Sequence, residues 1–145
     1  MTYGKKAAEL KETLNCGQAV VVALADLAGL SEDKAKAMAT GLGGGLRCGE
    51  ACGAYTGAVL ALSRTVGADG MGKPGGPVAE TLKEFSAEFK EQFGAIRCND
   101  LLAQNGCDHA VCNGFCAWCA DKAAEIIEAE EKKEEEKEMA RGLSF

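Results

Sequence analysis

Eight cysteines stand in this chain of 145 residues: Cys16, Cys48, Cys52, Cys98, Cys107, Cys112, Cys116 and Cys119. A thiolate is both a nucleophile and a soft metal ligand, so spacing decides what such residues can do. Cys112, Cys116 and Cys119 recur at i, i+4 and i+7, which on a helix forms one stripe. Cys48 and Cys52 lie four apart in a stretch, residues 41–57, that holds seven glycines: Gly41, Gly43, Gly44, Gly45, Gly49, Gly53 and Gly57. Glycine at that density lets a backbone come close to something. A helix is expected from about Gly49 to Val66, with Cys52 in its first turn, where N–H groups and the helix dipole favour a thiolate. The preceding glycines bring further N–H groups toward the same place, and such donors to sulfur tune iron–sulfur centres. A single buried cysteine is ordinarily a small hydrophobe. Eight of them, with two helical clusters, are the inventory of a metal, cluster or redox site.

Other chemistries lack their residues. His109 is the only histidine and reads as a loop residue, with a ligand or proton donor beside the thiols as the alternative. No Ser/His/Asp arrangement is visible, the glycine loop lacks the GxxxxGK[ST] form, and no GxGxxG follows a strand. The string Cys112-x3-Cys116-x2-Cys119 imitates the radical-SAM cluster signature. That family's barrel needs a longer chain, with the motif in a loop near its start rather than on a final helix. The four-cysteine ferredoxin run with its trailing proline is absent, as is the CxxCH of covalent haem.

The elements that must position these thiols read as helical throughout. Ala, Leu, Glu and Lys dominate, and only Pro74 and Pro77 interrupt. Residues 5–14 form a short amphipathic helix. Asn15 caps a central helix, apolar on nearly all sides, that Gly29 closes. Ser31 caps the next helix. Gly53, Gly57 and Ala61 form a smooth stripe for tight helix contact or cofactor access. Residues 67–77 are a loop by composition, with Pro77 in the first turn of the helix after it. Phe85, Phe89 and Phe93 share one face as core. Cys98 opens a short helix, and the last helix starts near Ala110. The expected fold is an all-α single-domain bundle of about five to six helices with a Gly-rich loop. Residues 1–127 make the cysteine-rich domain, and 128–145 a charged helix end or tail.

The net charge of −6 argues against nucleic acid as a partner. Most of it is local, with seven Glu and three Lys between Glu128 and Glu138, the pattern of a solvated helix end. The longest apolar run, Ala19–Ala25, is far below a membrane span, and the N-terminal MTYGKKAAELKETL has no signal-peptide core. A cytoplasmic protein without membrane insertion is expected. In a reducing compartment, eight cysteines point to metal or redox chemistry rather than four disulfides.

The segments "NC", "GLGGGLRCGEACGAYTGA", "CNDLL" and a late cysteine before "ADKAAEII" resemble the C_GCAxxG_C_C family of redox-active proteins, over about residues 14–127. The most specific part is Cys52–Ala58 after the glycine loop. The resemblance implies four characteristic cysteines: Cys16, Cys52, Cys98 and one of the last three, with Cys116 the best fit to Ala123 and Ala124 and with Cys112 and Cys119 as alternatives. Relation to the cluster-bearing end of split-Soret cytochromes implies an iron–sulfur cluster, [2Fe–2S] or [4Fe–4S], in a pocket shaped by Gly44, Gly45, Gly49, Gly53 and Gly57. Trp118 would help keep water away. Cys48, Cys107, Cys112 and Cys119 are additions to the four-ligand pattern, so a larger cluster, a second centre or an extra dithiol stays open. The expectation is an electron carrier or accessory protein of anaerobic metabolism, rather than a stand-alone enzyme, working with a redox partner protein. Its glycine stripe suits a homodimer interface as well as a monomer core. The alternatives are a thiol–disulfide protein using Cys52 as a low-pKa thiol, and a zinc- or copper-binding protein.

Overall fold

The computed structural model describes residues 1–66 and 76–142. The expected loop 67–77 lies outside the described residues except for Gly76 and Pro77. Eight α-helices and no strand are present among the described residues, so the all-α expectation holds while the count exceeds five to six. They are α1 (Tyr3–Leu10), α2 (Cys16–Ala23), α3 (Ala25–Ala28), α4 (Glu32–Met38), α5 (Gly53–Thr65), α6 (Pro77–Phe93), α7 (Cys98–Gln104) and α8 (Cys112–Gly142).

Side chains set several of the boundaries. Asn15 caps α2 reciprocally: its Oδ1 accepts from the Gln18 N–H at 2.9 Å, and the Gln18 side chain accepts from the Asn15 N–H at 3.2 Å. The Ser31 hydroxyl accepts from the Lys34 N–H at the start of α4. Pro77 occupies the first turn of α6. The expected central helix divides at Leu24 (φ −95°, ψ 2°), and Gly29 closes α3 with φ 67°. That division is one source of the higher helix count.

The centre of the bundle is α2. Ala19, Val20, Val21, Val22 and Leu24 are all within one per cent of full burial, which explains a sequence apolar on every side. One face of α2 meets α5 and α8, and the other closes with α4 over Val21, Val22, Ala35 and Ala39. The α2–α5 crossing is a backbone contact. A Cβ on Gly57 would lie 2.9 Å from the Gly17 carbonyl oxygen and 3.3 Å from Val20 Cβ. The glycine stripe is therefore filled by α2 of the same chain. Phe85, Phe89 and Phe93 join Tyr55, Phe115 and Trp118 in one aromatic cluster, with Phe93 and Phe115 edge to face at 4.8 Å. Beyond Ile127, α8 continues as a solvated charged helix to Gly142, as its Glu/Lys run suggests.

This packing makes two opposite predictions for adding one methyl group. Gly57→Ala, forced against the Gly17 backbone, is expected to cost about 1–3 kcal/mol in urea unfolding of the metal-free protein. Gly114→Ala, a helical glycine whose Cβ would meet nothing within 4 Å, is expected to gain about 0.5–1 kcal/mol.

Candidate functional site

Four cysteines face one small cavity: Cys16, Cys52, Cys98 and Cys112, with Gly44, Gly53, Leu101, Leu102 and Phe115 completing its wall. Each of the four stands where a helix begins. Cys16 is the first residue of α2, Cys98 of α7 and Cys112 of α8, while Cys52 is the N-cap of α5. Helix starts carry unpaired N–H groups and the positive end of the dipole. The backbone N–H groups of Tyr55 and Ala54, in the first turn of α5, favour the anionic form of Cys52.

Local chain geometry brings these starts together. Cys16 and Cys52 meet through the α2–α5 crossing, where a Cβ on Gly53 would lie 3.1 Å from both Cys16 Cβ and the Gly17 nitrogen. Cys52 and Cys98 are joined by a short antiparallel bridge, Ala51 to Arg97. In it the Cys52 N–H donates to the Ile96 carbonyl at 2.8 Å and the Cys98 N–H to the Glu50 carbonyl at 2.6 Å. Arg97 Nε and Nη2 also reach both Glu50 carboxylate oxygens, at 3.2 and 3.3 Å, on the outside of this bridge.

The bridge corrects the expected helix start. Residues 50–52 are extended rather than helical, so α5 begins at Gly53 and Cys48 does not share a helix face with Cys52. Before the bridge the chain winds left-handed. Gly44, Gly45, Leu46 and Arg47 have φ of 63°, 64°, 59° and 62°, and Gly49 has 74°. Glycine takes this freely, but Leu46 and Arg47 each cost roughly 1–2 kcal/mol there. At Gly45 no side chain fits at all, because a Cβ would lie 2.7 Å from Cys98 Cβ and 2.5 Å from the Glu50 carbonyl oxygen.

The other candidates separate. Cys116 and Cys119 are fully buried on the same stripe of α8 but behind the cavity. The Cys116 thiol donates to the Cys16 carbonyl at 3.8 Å. Cys48 and Cys107 are exposed, Cys48 donating to the Gly45 carbonyl at 3.6 Å. His109 is exposed in the turn before α8. Of the glycines expected to shape the pocket, Gly44 and Gly53 line it. Gly45 backs Cys98, Gly49 packs on the Asn99 side chain, and Gly57 serves the α2–α5 contact. The cavity thus holds Cys112 where the sequence pattern favoured Cys116. A usable signal existed, since Cys16, Cys52 and Cys98 were all placed at helix starts and Cys112 alone continues that rule on the last helix.

Burial and mutual interaction push five of the thiols, Cys16, Cys52, Cys98, Cys112 and Cys119, toward the protonated form. Burial pushes Cys52 up to about 11 even though the N–H groups of Tyr55 and Ala54 pull the other way. Helix-end stabilisation therefore loses to desolvation, and the expected low-pKa thiol is not found at Cys52. Cys16 is drawn down by Cys112, but the neighbouring Cys116 thiol and burial prevail and bring it to about 12. Cys112 is raised by its interaction with Cys16 and by burial, Cys98 by burial and then Cys112, and Cys119 by burial and then Cys52 and Cys16. About 10 Å³ of free space remains between the cavity walls, room for about one water. Among the described residues no three His, Cys, Asp or Glu side chains are already placed to hold one ion. A larger open cleft of about 730 Å³, between Arg64 and Glu130–Glu135, contains no cysteine.

Comparison with known families bears on this constellation. The family model described as "Putative redox-active protein (C_GCAxxG_C_C)" matches residues 14–129. The chain belongs to this family. The C_GCAxxG_C_C match takes in all four cavity cysteines, the left-handed turn and the buried pair Cys116 and Cys119. Neither a curated protein nor a solved structure matches the chain.

The raised thiols set a pH dependence. A cysteine held at about 11 or 12 in the fold, against 9 unfolded, keeps its proton longer in the native state. Its contribution to stability is intact below pH 9 and is lost as pH rises toward 11–12. The melting temperature of the metal-free, reduced protein is expected to fall above pH 9. Cys52→Ala should flatten that fall, and thermal scans between pH 7 and 11 check it.

Proposed function

We propose that this member of the family is an electron-transfer protein that binds an iron–sulfur cluster through Cys16, Cys52, Cys98 and Cys112. The observation that carries the reading is the meeting of four cysteines, each at a helix start, in one cavity. The donor set fits the group: four soft thiols, apolar walls from Leu101, Leu102 and Phe115, and no carboxylate or imidazole on the lining. The walls stand closed around a space smaller than a cluster, so binding requires them to part.

A bound cluster would supply a centre that takes up and releases single electrons. The rest of the work falls to this chain. The four thiols give up their protons on binding. The N–H groups of Ala54 and Tyr55 favour the anionic form of the Cys52 sulfur. Cys116 holds the Cys16 carbonyl from behind. Leu101, Leu102 and Phe115 exclude water, and the aromatic cluster with Trp118 backs Phe115. The electrons would pass to and from a redox partner protein. No helix among the described residues is long and apolar enough to cross a membrane.

Metal and acid-labile sulfide analysis of anaerobically purified protein tests the reading. Iron and sulfide in near-equal amounts, with a visible band that bleaches on reduction, is the expected result. Stoichiometric zinc or copper without sulfide would turn the site into a metal–thiolate centre, and metal-free protein would defeat both. Serine at position 16, 52, 98 or 112 should remove most of the bound iron. Cys48→Ser, Cys107→Ser and Cys116→Ser should retain it. Loss with Cys116→Ser and retention with Cys112→Ser would return the fourth ligand to Cys116.

A further inference from the structure

We propose that the left-handed turn Gly44–Arg47 is the door of the cysteine cavity, strained when shut and opening as a unit while the helices stay packed. What passes through it rests on the cluster-binding reading above. The door itself does not.

Four observations support it. Of the residues lining the cavity, Gly44 alone lies outside an α-helix or its cap. The other walls belong to α2, α5, α7 and α8, and α2 and α5 are fixed by the backbone contact at Gly17, Gly53 and Gly57. The turn, by contrast, meets the cavity at Gly44 and carries Leu46 and Arg47 into water. Leu46 is 45% exposed, Arg47 is exposed, and a Cβ on Gly44 would meet nothing within 4 Å. Its hydrogen bonds to the rest of the chain include the Glu50 N–H to the Gly45 carbonyl at 2.9 Å, Arg47 Nη2 to the Thr40 carbonyl at 3.0 Å, and the Cys48 thiol to Gly45, and Gly45 packs on Cys98.

The fourth observation is the strain. Leu46 and Arg47 hold left-handed backbone that L-residues avoid. On the outside of the turn the Arg47 bond to the Thr40 carbonyl offsets part of this. An outward swing lets both return to right-handed or extended backbone, so their strain biases the door toward opening. Gly44 and Gly45 keep the shut form accessible. The free space is about 10 Å³, so Cys52 and Cys112, which are both buried, become fully reachable only when a wall moves, whereas Cys16 and Cys98 are part-exposed.

Thiol labelling of the metal-free, reduced protein tests this without any cofactor. N-ethylmaleimide is added, the reaction is quenched over time, and each cysteine is followed by peptide mass spectrometry. Cys52 and Cys112 report on the cavity, and Cys116 and Cys119 on the core behind it. Leu46→Gly removes strain from the shut form and changes no lining residue, so labelling of Cys52 and Cys112 should slow together, on the order of tenfold. Gly44→Ala adds left-handed strain without a clash and should speed both by a similar factor. Cys116 and Cys119 should stay slow in every variant. Arg47→Gly is the second strain-relieving variant should Leu46→Gly fail to fold. Unchanged rates at Cys52 and Cys112 in both directions would overturn the proposal. So would parallel changes at all four cysteines that follow urea stability, since exposure would then come from global unfolding. An iron-free protein that still shows the expected pattern would defeat the cluster reading and leave the door standing.

Discussion

The site depends first on how closely two backbones approach. Gly17 of α2 lies against Gly53 and Gly57 of α5 at distances that leave no room for a methyl group. That contact lets the helices cross at their starts, which puts Cys16, one residue before Gly17, beside Cys52, one residue before Gly53. Larger residues at these positions would hold the helices at the usual 8–10 Å separation and pull the two thiols apart. The long helix α8 then packs across both α1 and α5, and its first residue, Cys112, reaches the same place.

A second tie of a different kind brings in Cys98. Helix packing cannot deliver it, because α7 has only seven residues and little surface to pack. The two hydrogen bonds between 50–52 and 96–98 do so instead, and the exposed Arg97–Glu50 pair straddles them. An exposed pair of that kind adds little stability by itself. Its value is geometric, since it holds the two strands of the bridge at the register that points both cysteines inward. The left-handed turn follows from the same constraint. The chain must leave the 40–42 turn, pass close over Cys98 and enter the bridge within a few residues, and only a Gly-rich segment can fold back so sharply.

Much of this was legible in the residues. Asn15, Ser31, Gly29 and Pro77 act at the termini as their types dictate, because capping is decided by neighbours three or four residues away. The glycine stripe announced a close helix contact, and the phenylalanines announced a core face. What escaped were features fixed by residues far apart in sequence. The start of α5 at Gly53 rather than Gly49 is set by Ile96 and Cys98, more than forty positions away. The break at Leu24 leaves no local breaker to read, since Leu and Ala on either side are good helix formers. The choice between Cys112 and Cys116 could not come from periodicity, because both lie on one stripe. Which of them faces the cavity depends on where the α8 start meets α2. The family match carries the whole cysteine set but does not by itself rank its members.

Electrostatics separates these cysteines from ordinary core residues. A cysteine used as a small hydrophobe needs only burial, and Cys119 is that case, sealed about two turns into α8 with its thiol pushed up chiefly by desolvation. Cys52 stands under two opposed influences. Burial raises it, while the backbone N–H groups of Tyr55 and Ala54 favour its anion. Donors aimed at a neutral thiol gain little, and a helix start buried against a protonated sulfur leaves its dipole without a counter-charge. Water would satisfy those donors more cheaply, yet the cavity admits about one molecule. The arrangement gains its full electrostatic return only when the sulfurs are anionic. Four anions in an apolar enclosure repel one another, so that state requires a cation among them. Helix starts, apolar walls and thiols would then act in the same direction, as the proposed cluster requires.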